Sequence, residues 1–237
     1  TVLGSDDKSG IAALIETIRC LQENYIDHGP VELIFTTCEE VGLLGAKSLD
    51  PSMIQARMGY ALDTTGFGRI ITGAPAANRL DITVRGLAAH AGLHPEQGIS
   101  AIMLAARALD AAPRGRIDEL STVNFGMISG GRAINIVADK VRIQGEVRSH
   151  SNEILVQLTR QIESTFTAAV DEWPDPPGEV PARPGLDFKV SLDFPLMQLN
   201  RDDPVITRIE AAAGSIGLQL DYGIAGGGSD AAVGTGV

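Results

Sequence analysis

A chain of 237 residues with 44% hydrophobic residues and 27 glycines can bury a sizeable core in one large or two smaller domains. It suits a loop-rich α/β protein better than a helical bundle or a disordered chain. Thirty acidic against nineteen basic side chains leave a formal charge of −11, which argues against nucleic acid or an anionic membrane as a partner.

No apolar run approaches the length of a membrane span, and no signal sequence is visible. Two cysteines, Cys20 and Cys38, make no disulfide framework, so both are expected as core thiols in a reducing, cytoplasmic setting. The chain opens at Thr1 without an initiator Met and stops at Val237 after a glycine-rich turn; both ends read as cuts through a domain.

In chain order, Thr1-Val2-Leu3 reads as a strand end and Gly4 to Gly10 as a polar turn. A helix is predicted over 11–24, because Ile11, Leu14, Ile15, Ile18 and Leu21 recur at helical spacing. Asp6-Asp7 could cap that helix, yet two acids in one tight turn exceed what a cap needs. Val31 to Thr37 is an apolar, β-branched run, predicted as a strand buried on both faces. It ends in Glu39-Glu40 and then Val41-Gly42.

Two adjacent carboxylates at the tip of a buried strand repel each other and lose hydration, a cost that a cation offsets. Neighbouring side chains on a straight strand point to opposite faces. Glu39 and Glu40 can therefore share a site only where the chain turns. A short helix is predicted over 43–49 and a second buried strand over 58–63, again ending in an acid, Asp63. Each acid alone is ordinarily a cap or turn residue. Asp6, Glu39, Glu40 and Asp63 at three successive strand ends, the edge where open parallel sheets build sites, point to a cationic, metal-binding cleft.

From about Asn78 the pattern changes. Residues 79–85 alternate apolar and polar, and an apolar-striped helix follows over 98–109. Two strands are predicted over 122–127 and 136–147, then a long amphipathic helix over 152–173, a proline-rich loop over 174–184 and a last strand over 188–194. The order β-α-β-β-α-β is that of a ferredoxin-like split βαβ sandwich. The expected organisation is a catalytic domain over 1–77, an inserted domain over 78–200, and the catalytic domain resumed over 201–237. The last part carries a helix over 205–216, a strand before Gly223 and the turn Gly226 to Asp230.

Leu3-Gly4-Ser5-Asp6-Asp7-Lys8-Ser9-Gly10-Ile11-Ala12, Thr37-Cys38-Glu39-Glu40-Val41-Gly42, Leu62-Asp63, His90-Ala91-Gly92 with Pro95 and Gly98, and Gly226-Gly227-Gly228-Ser229-Asp230-Ala231 occur in that order. Together they resemble the di-zinc metallopeptidase family that contains peptidase T, glutamate carboxypeptidase and aminoacylase. The wording is most similar to the peptidase T, or tripeptide aminopeptidase, branch. The resemblance implies an α/β catalytic domain with a mixed, largely parallel sheet, interrupted by a lid or dimerisation domain. It also implies two zinc ions per full-length subunit, a short peptide as substrate and a homodimer formed through the insert.

Carried onto matching positions, the resemblance makes Asp6 the carboxylate bridging the two metals, its bond to Asp7 often being cis in such proteins. Glu40 and Asp63 become terminal ligands of different ions, and Glu39 the general base. His90 helps stabilise the oxyanion, often from the partner subunit of a dimer. Asn135 and Arg148 match residues that bind the substrate's backbone or carboxylate. The stretch Gly226 to Asp230 brings backbone amides near the substrate, with Gly228 and Asp230 as substrate-binding residues, although Asp230 could be only a cap for the next helix.

The family pattern has two further histidine ligands, one in a His-x-Asp motif before Asp6 and one near the carboxyl end. Neither occurs here, and His28, His94 and His150 match no ligand motif. The chain as given is therefore expected to be inactive by itself. Two other readings of the same family are a carboxypeptidase or N-acyl amino-acid deacylase and a catalytically inactive binding homologue. A calcium-stabilised domain fits the acids but explains neither the Glu-Glu pair nor His90.

Overall fold

The computed structural model describes residues 4–174 and 183–234. The expected strand end at 1–3 and most of the proline-rich loop over 174–184 lie outside those residues. The chain divides into two compact units, one of residues 1–74 with 194–237 and one of residues 75–193.

In the first unit, α1 (Ser5–Glu23) begins with two non-helical residues, Asp6 and Asp7. Asp7 does the capping. Its Oδ1 accepts the Gly10 N–H at 2.9 Å and the Ser9 hydroxyl at 3.2 Å. A Cβ on Gly10 would stand 2.2 Å from Asp7 Oδ2, so this cap requires glycine there. A short helix, α2 (Leu44–Ser48), and the strand β1 (Arg69–Ala74) follow.

The predicted strands over 31–37 and 58–63 are not formed as ladders among the described residues. Their apolar side chains stand open: Phe35 is 53% and Leu62 44% exposed, as is Ile15 of α1 at 56%. The physical reason is pairing. An apolar β-branched run becomes a buried strand only when neighbours take its N–H and C=O groups and elements cover its faces. Here no strand pairs with either run among the described residues. Cys20 and Cys38 are correspondingly exposed free thiols rather than core residues.

The second unit follows the predicted order with one two-residue strand added. Its elements are β2 (Ala76–Arg85), α3 (Ala101–Ala111), β3 (Gly115–Arg116), β4 (Ser121–Gly130), β5 (Lys140–Ser149), α4 (Asn152–Asp171) and β6 (Gly185–Phe194). The sheet order is β3-β4-β5-β2-β6, with β2–β5 and β4–β5 antiparallel. Counting the four main strands along the chain, this is the ferredoxin-like order. Ser100 and Ser151 cap the two helices through their side chains.

The core lies between helices and sheet: Leu80, Ile82, Leu104, Ile143 and Ile162 are fully buried around Phe166. That ring meets Phe125 and Phe188 at centroid distances of 6.2 and 6.3 Å. The strand predicted over 136–147 starts only at Lys140. Residues 131–139 form an irregular connection, joined to the 86–98 segment by an isolated bridge between His90 and Ile136.

The first unit resumes with β7 (Met197–Gln198), α5 (Pro204–Ser215), β8 (Asp221–Ile224) and α6 (Asp230–Gly234). β1 is central to a mixed sheet, antiparallel to β7 and parallel to β8. β7, assigned from sequence to the insert, therefore pairs in the first unit. Ala74, Met197 and Ala232 form the buried cluster there, with Ile71, Ala225 and Ala231 packed on it. No helix among the described residues is long and apolar enough to cross a membrane.

Candidate active site

The chain turns sharply where Glu39 and Glu40 stand. Cys38 and Leu43 adopt φ of 59° and 57°, and Gly42 a φ of 108°. The Glu39 carbonyl accepts the N–H groups of both Gly42 and Leu43, at 3.0 and 2.8 Å. The Gly45 N–H then donates to the Thr37 carbonyl at 2.9 Å. A Cβ on Gly45 would meet that oxygen at 2.4 Å, so only glycine lets α2 approach this closely. The turn removes the strand geometry that would send the two carboxylates to opposite faces.

The acids of the first unit act on one another. Partial desolvation, then Asp63, Glu40, Asp230 and Asp6 in turn, raise the Glu39 carboxyl above its ordinary range. Asp63 is raised likewise, by desolvation and then by Asp6, Asp7, Asp230 and Glu40. Carboxylates from four separate stretches thus share one neighbourhood, and no basic group contributes to either shift. Asp6, Glu40 and Asp63 are exposed, and Glu39 is half-buried. The peptide between Asp6 and Asp7 is cis. Asp230 accepts a hydrogen bond from the Thr36 hydroxyl through Oδ2, while its Oδ1 is buried without a hydrogen-bond partner among the described residues.

This donor chemistry fits a divalent cation: hard carboxylate oxygens, and one buried oxygen lacking a donor among the described residues. It does not make a closed cage. Among the described residues, no three acidic, histidine or cysteine side chains stand close enough together to hold a metal ion.

In the second unit, His90 and Asn135 are brought together although 45 positions apart. The Ala91 N–H donates to the Asn135 carbonyl at 2.9 Å, and the Val137 N–H to the Ala89 carbonyl at 2.9 Å. The His90 ring is exposed, its Nδ1 accepting the Gly92 N–H at 3.2 Å. Asn135 lies in the irregular connection rather than on a strand, with its side chain exposed. Arg148 is on β5, where its guanidinium meets Glu146 at 2.9 Å. His94, read as a loop residue, lies 3.4 Å from Glu96.

Gly228 sits on the ring of Phe194, a side chain only 6% exposed; a Cβ there would be 2.7 Å from Phe194 Cγ. Sequence reasoning missed Phe194, Thr36 and β1. The Ile70-Ile71 pair was a usable signal for β1, whereas nothing local marks a threonine whose partner is 194 residues away.

Two family models match the chain, a peptidase dimerisation domain over residues 73–174 and an M42 glutamyl aminopeptidase over residues 4–80. Among curated proteins, the chain is 41% identical over 234 residues to the uncharacterized protein YqjE of Bacillus subtilis, covering 98% of this chain and 61% of that protein. It is 35% identical over 121 residues to peptidase T of Escherichia coli K12, covering 51% of this chain and 29% of that protein. Among solved structures, the aminopeptidase PepT of Bacillus cereus matches all of this chain at 40% identity and a TM-score of 0.85. A tripeptidase of Staphylococcus aureus does so at 34% identity and 0.87. The chain spans 61% of the length of each of those two structures.

Proposed function

This chain belongs to the peptidase family that contains peptidase T, and from that premise we propose that the intact protein is a zinc-dependent aminopeptidase acting on short peptides, tripeptides above all. The observation that supports this reading is the turn at 38–43, which carries Glu39 and Glu40 in a neighbourhood shared with Asp6, Asp63 and Asp230.

In this reading Asp6, Glu40 and Asp63 would hold two zinc ions. When bound, the metal pair supplies Lewis acidity toward a peptide carbonyl and a water acidic enough to ionise near neutral pH. Glu39 is left unligated, takes a proton from the attacking water at its carboxylate and passes it to the departing amine. Its half-buried position among other acids raises its proton affinity, which suits a group that must accept a proton and then release it.

His90 donates a hydrogen bond to the oxyanion of the tetrahedral intermediate. Asn135 and Arg148 hold the substrate's backbone and carboxylate. A guanidinium presents its donors in a planar fork, which suits a carboxylate. Backbone amides around Gly228 line the substrate's approach. The match to a peptidase dimerisation domain supports a homodimer through residues 75–193, and the two free cysteines suit a cytoplasmic setting. The 237-residue chain alone, lacking the family's two histidine ligands, is expected to turn over nothing.

A deacylase or carboxypeptidase of the same family would use the same chemistry. Zinc-loaded intact protein is expected to hydrolyse a free tripeptide and to leave its N-acetylated form uncut. Cleavage of the acetylated peptide alone would remove the aminopeptidase reading.

A further inference from the structure

We infer that Asp230 is a positioning residue: through the Thr36 hydroxyl it fastens the Gly226–Ser229 loop to the turn that carries Glu39 and Glu40. This deepens the proposed peptidase reading and rests on it for its consequence in turnover, though not for the contact itself.

The bond joins two segments 194 residues apart, Thr36 Oγ1 donating to Asp230 Oδ2. Asp230 begins α6, but the capping bonds of that turn come from Ser229. Its hydroxyl accepts the Ala231 N–H at 3.1 Å, and its carbonyl the Ala232 N–H at 2.9 Å. A cap role therefore leaves Asp230 unexplained. Its other oxygen, Oδ1, is buried with no hydrogen-bond partner among the described residues. A buried carboxylate oxygen without a donor costs folding free energy rather than adding to it.

Both ends of the tie are rigid. Thr36 lies against α2, its Cβ 3.1 Å from where a Cβ on Gly45 would stand, and the neighbouring Thr37 accepts the Gly45 N–H. On the loop side, Gly228 is seated on the buried Phe194 ring. Ala232, two residues past Asp230, is fully buried with Ala74 and Met197. The loop is thus held from beneath by Phe194 and laterally by Thr36. A glycine-rich segment with three consecutive glycines has high conformational freedom by itself. A tie to the Glu39 turn is what fixes where its N–H groups point relative to the general base.

The test uses the intact protein with three changes: Thr36→Val, which removes the donor at nearly constant shape, Thr36→Ser, which keeps it, and Asp230→Ala. Amide hydrogen exchange of the 226–231 segment is read independently of activity. Thr36→Val is expected to speed exchange there about tenfold or more, the scale of a lost hydrogen bond to a charged group, with β1 unaffected. Thr36→Ser should stay close to the parent, and the Thr36→Val/Asp230→Ala double variant should be no faster than the worse single one. In tripeptide hydrolysis, Thr36→Val should lower kcat/KM by about tenfold with metal content unchanged, and Thr36→Ser should restore it. Unchanged exchange in Thr36→Val, or Thr36→Ser as fast as Thr36→Val, would overturn the inference. If the parent protein cleaves no peptide, the peptidase reading fails while the exchange data still decide the tie.

Discussion

Glu39 and Asp63 show what a single carboxylate experiences in this protein. Both are raised by desolvation first and by neighbouring acids after it. With folded-state values above the unfolded ones, the metal-free fold holds protons more tightly than the unfolded chain. The stability they contribute is present below the ordinary carboxylate range and is lost as pH rises through the raised folded values. As pH rises above the ordinary carboxylate range, the metal-free melting temperature of the parent is therefore expected to lose more than that of Asp63→Asn. Equal slopes in parent and variant, measured by calorimetry, would contradict the shared acidic neighbourhood. Gly45 makes a second argument at this scale. A Cβ would meet backbone at 2.4 Å, so Gly45→Ala should displace α2 and lower stability by roughly 1–3 kcal/mol, measured by denaturant unfolding. The acids and Gly42 were legible in the sequence as an adjacent Glu-Glu pair followed by glycine. Gly45's constraint was not, because it depends on where α2 crosses Thr37.

The elements divide by how much of their pattern is local. The helices α3, α4 and α5 lie within a few residues of the spans read from apolar spacing, since each carries its own stripe and two carry serine caps. The strands β2 and β6 were legible from alternation, which marks a sheet with one face packed and one open. The runs over 31–37 and 58–63 carry the strongest β-type composition of the first unit yet pair with nothing among the described residues. Strand formation depends on partners, which composition does not encode. The two-residue β7 was too brief to register, whereas β8 falls at the strand read before Gly223. Two measurements follow. Ser151→Ala should cost about 1 kcal/mol through the loss of the α4 cap. Phe166→Ala, emptying the ring cluster with Phe125 and Phe188, should cost about 3–5 kcal/mol, both read from chemical denaturation of residues 75–193.

For the chain as a whole, stability is unevenly distributed. The largest fully buried side chains, from Leu80 and Ile82 to Ile162 and Phe166, all belong to residues 75–193. Among the described residues of the first unit, buried side chains such as Ala74, Met197, Ala232, Leu43, Phe194 and Ile206 are fewer, while Ile15, Phe35, Tyr60 and Leu62 stand open. Calorimetry of the 237-residue chain should therefore show two transitions, the first unit melting at lower temperature, with dye binding to exposed apolar surface before the second melts. A single cooperative transition would contradict this division. The functional consequence is that the acids sit in the less buried unit, where a bound cation would add stability by mass action.

The central claim is that Glu39 is a base and Glu40 a ligand, two adjacent carboxylates with separate tasks. The most direct measurement is zinc content and tripeptide turnover of the intact protein carrying Glu39→Gln. The predicted result is parent-level zinc with turnover reduced by about 10²-fold or more. Undiminished turnover, or loss of zinc together with activity, would contradict the assignment.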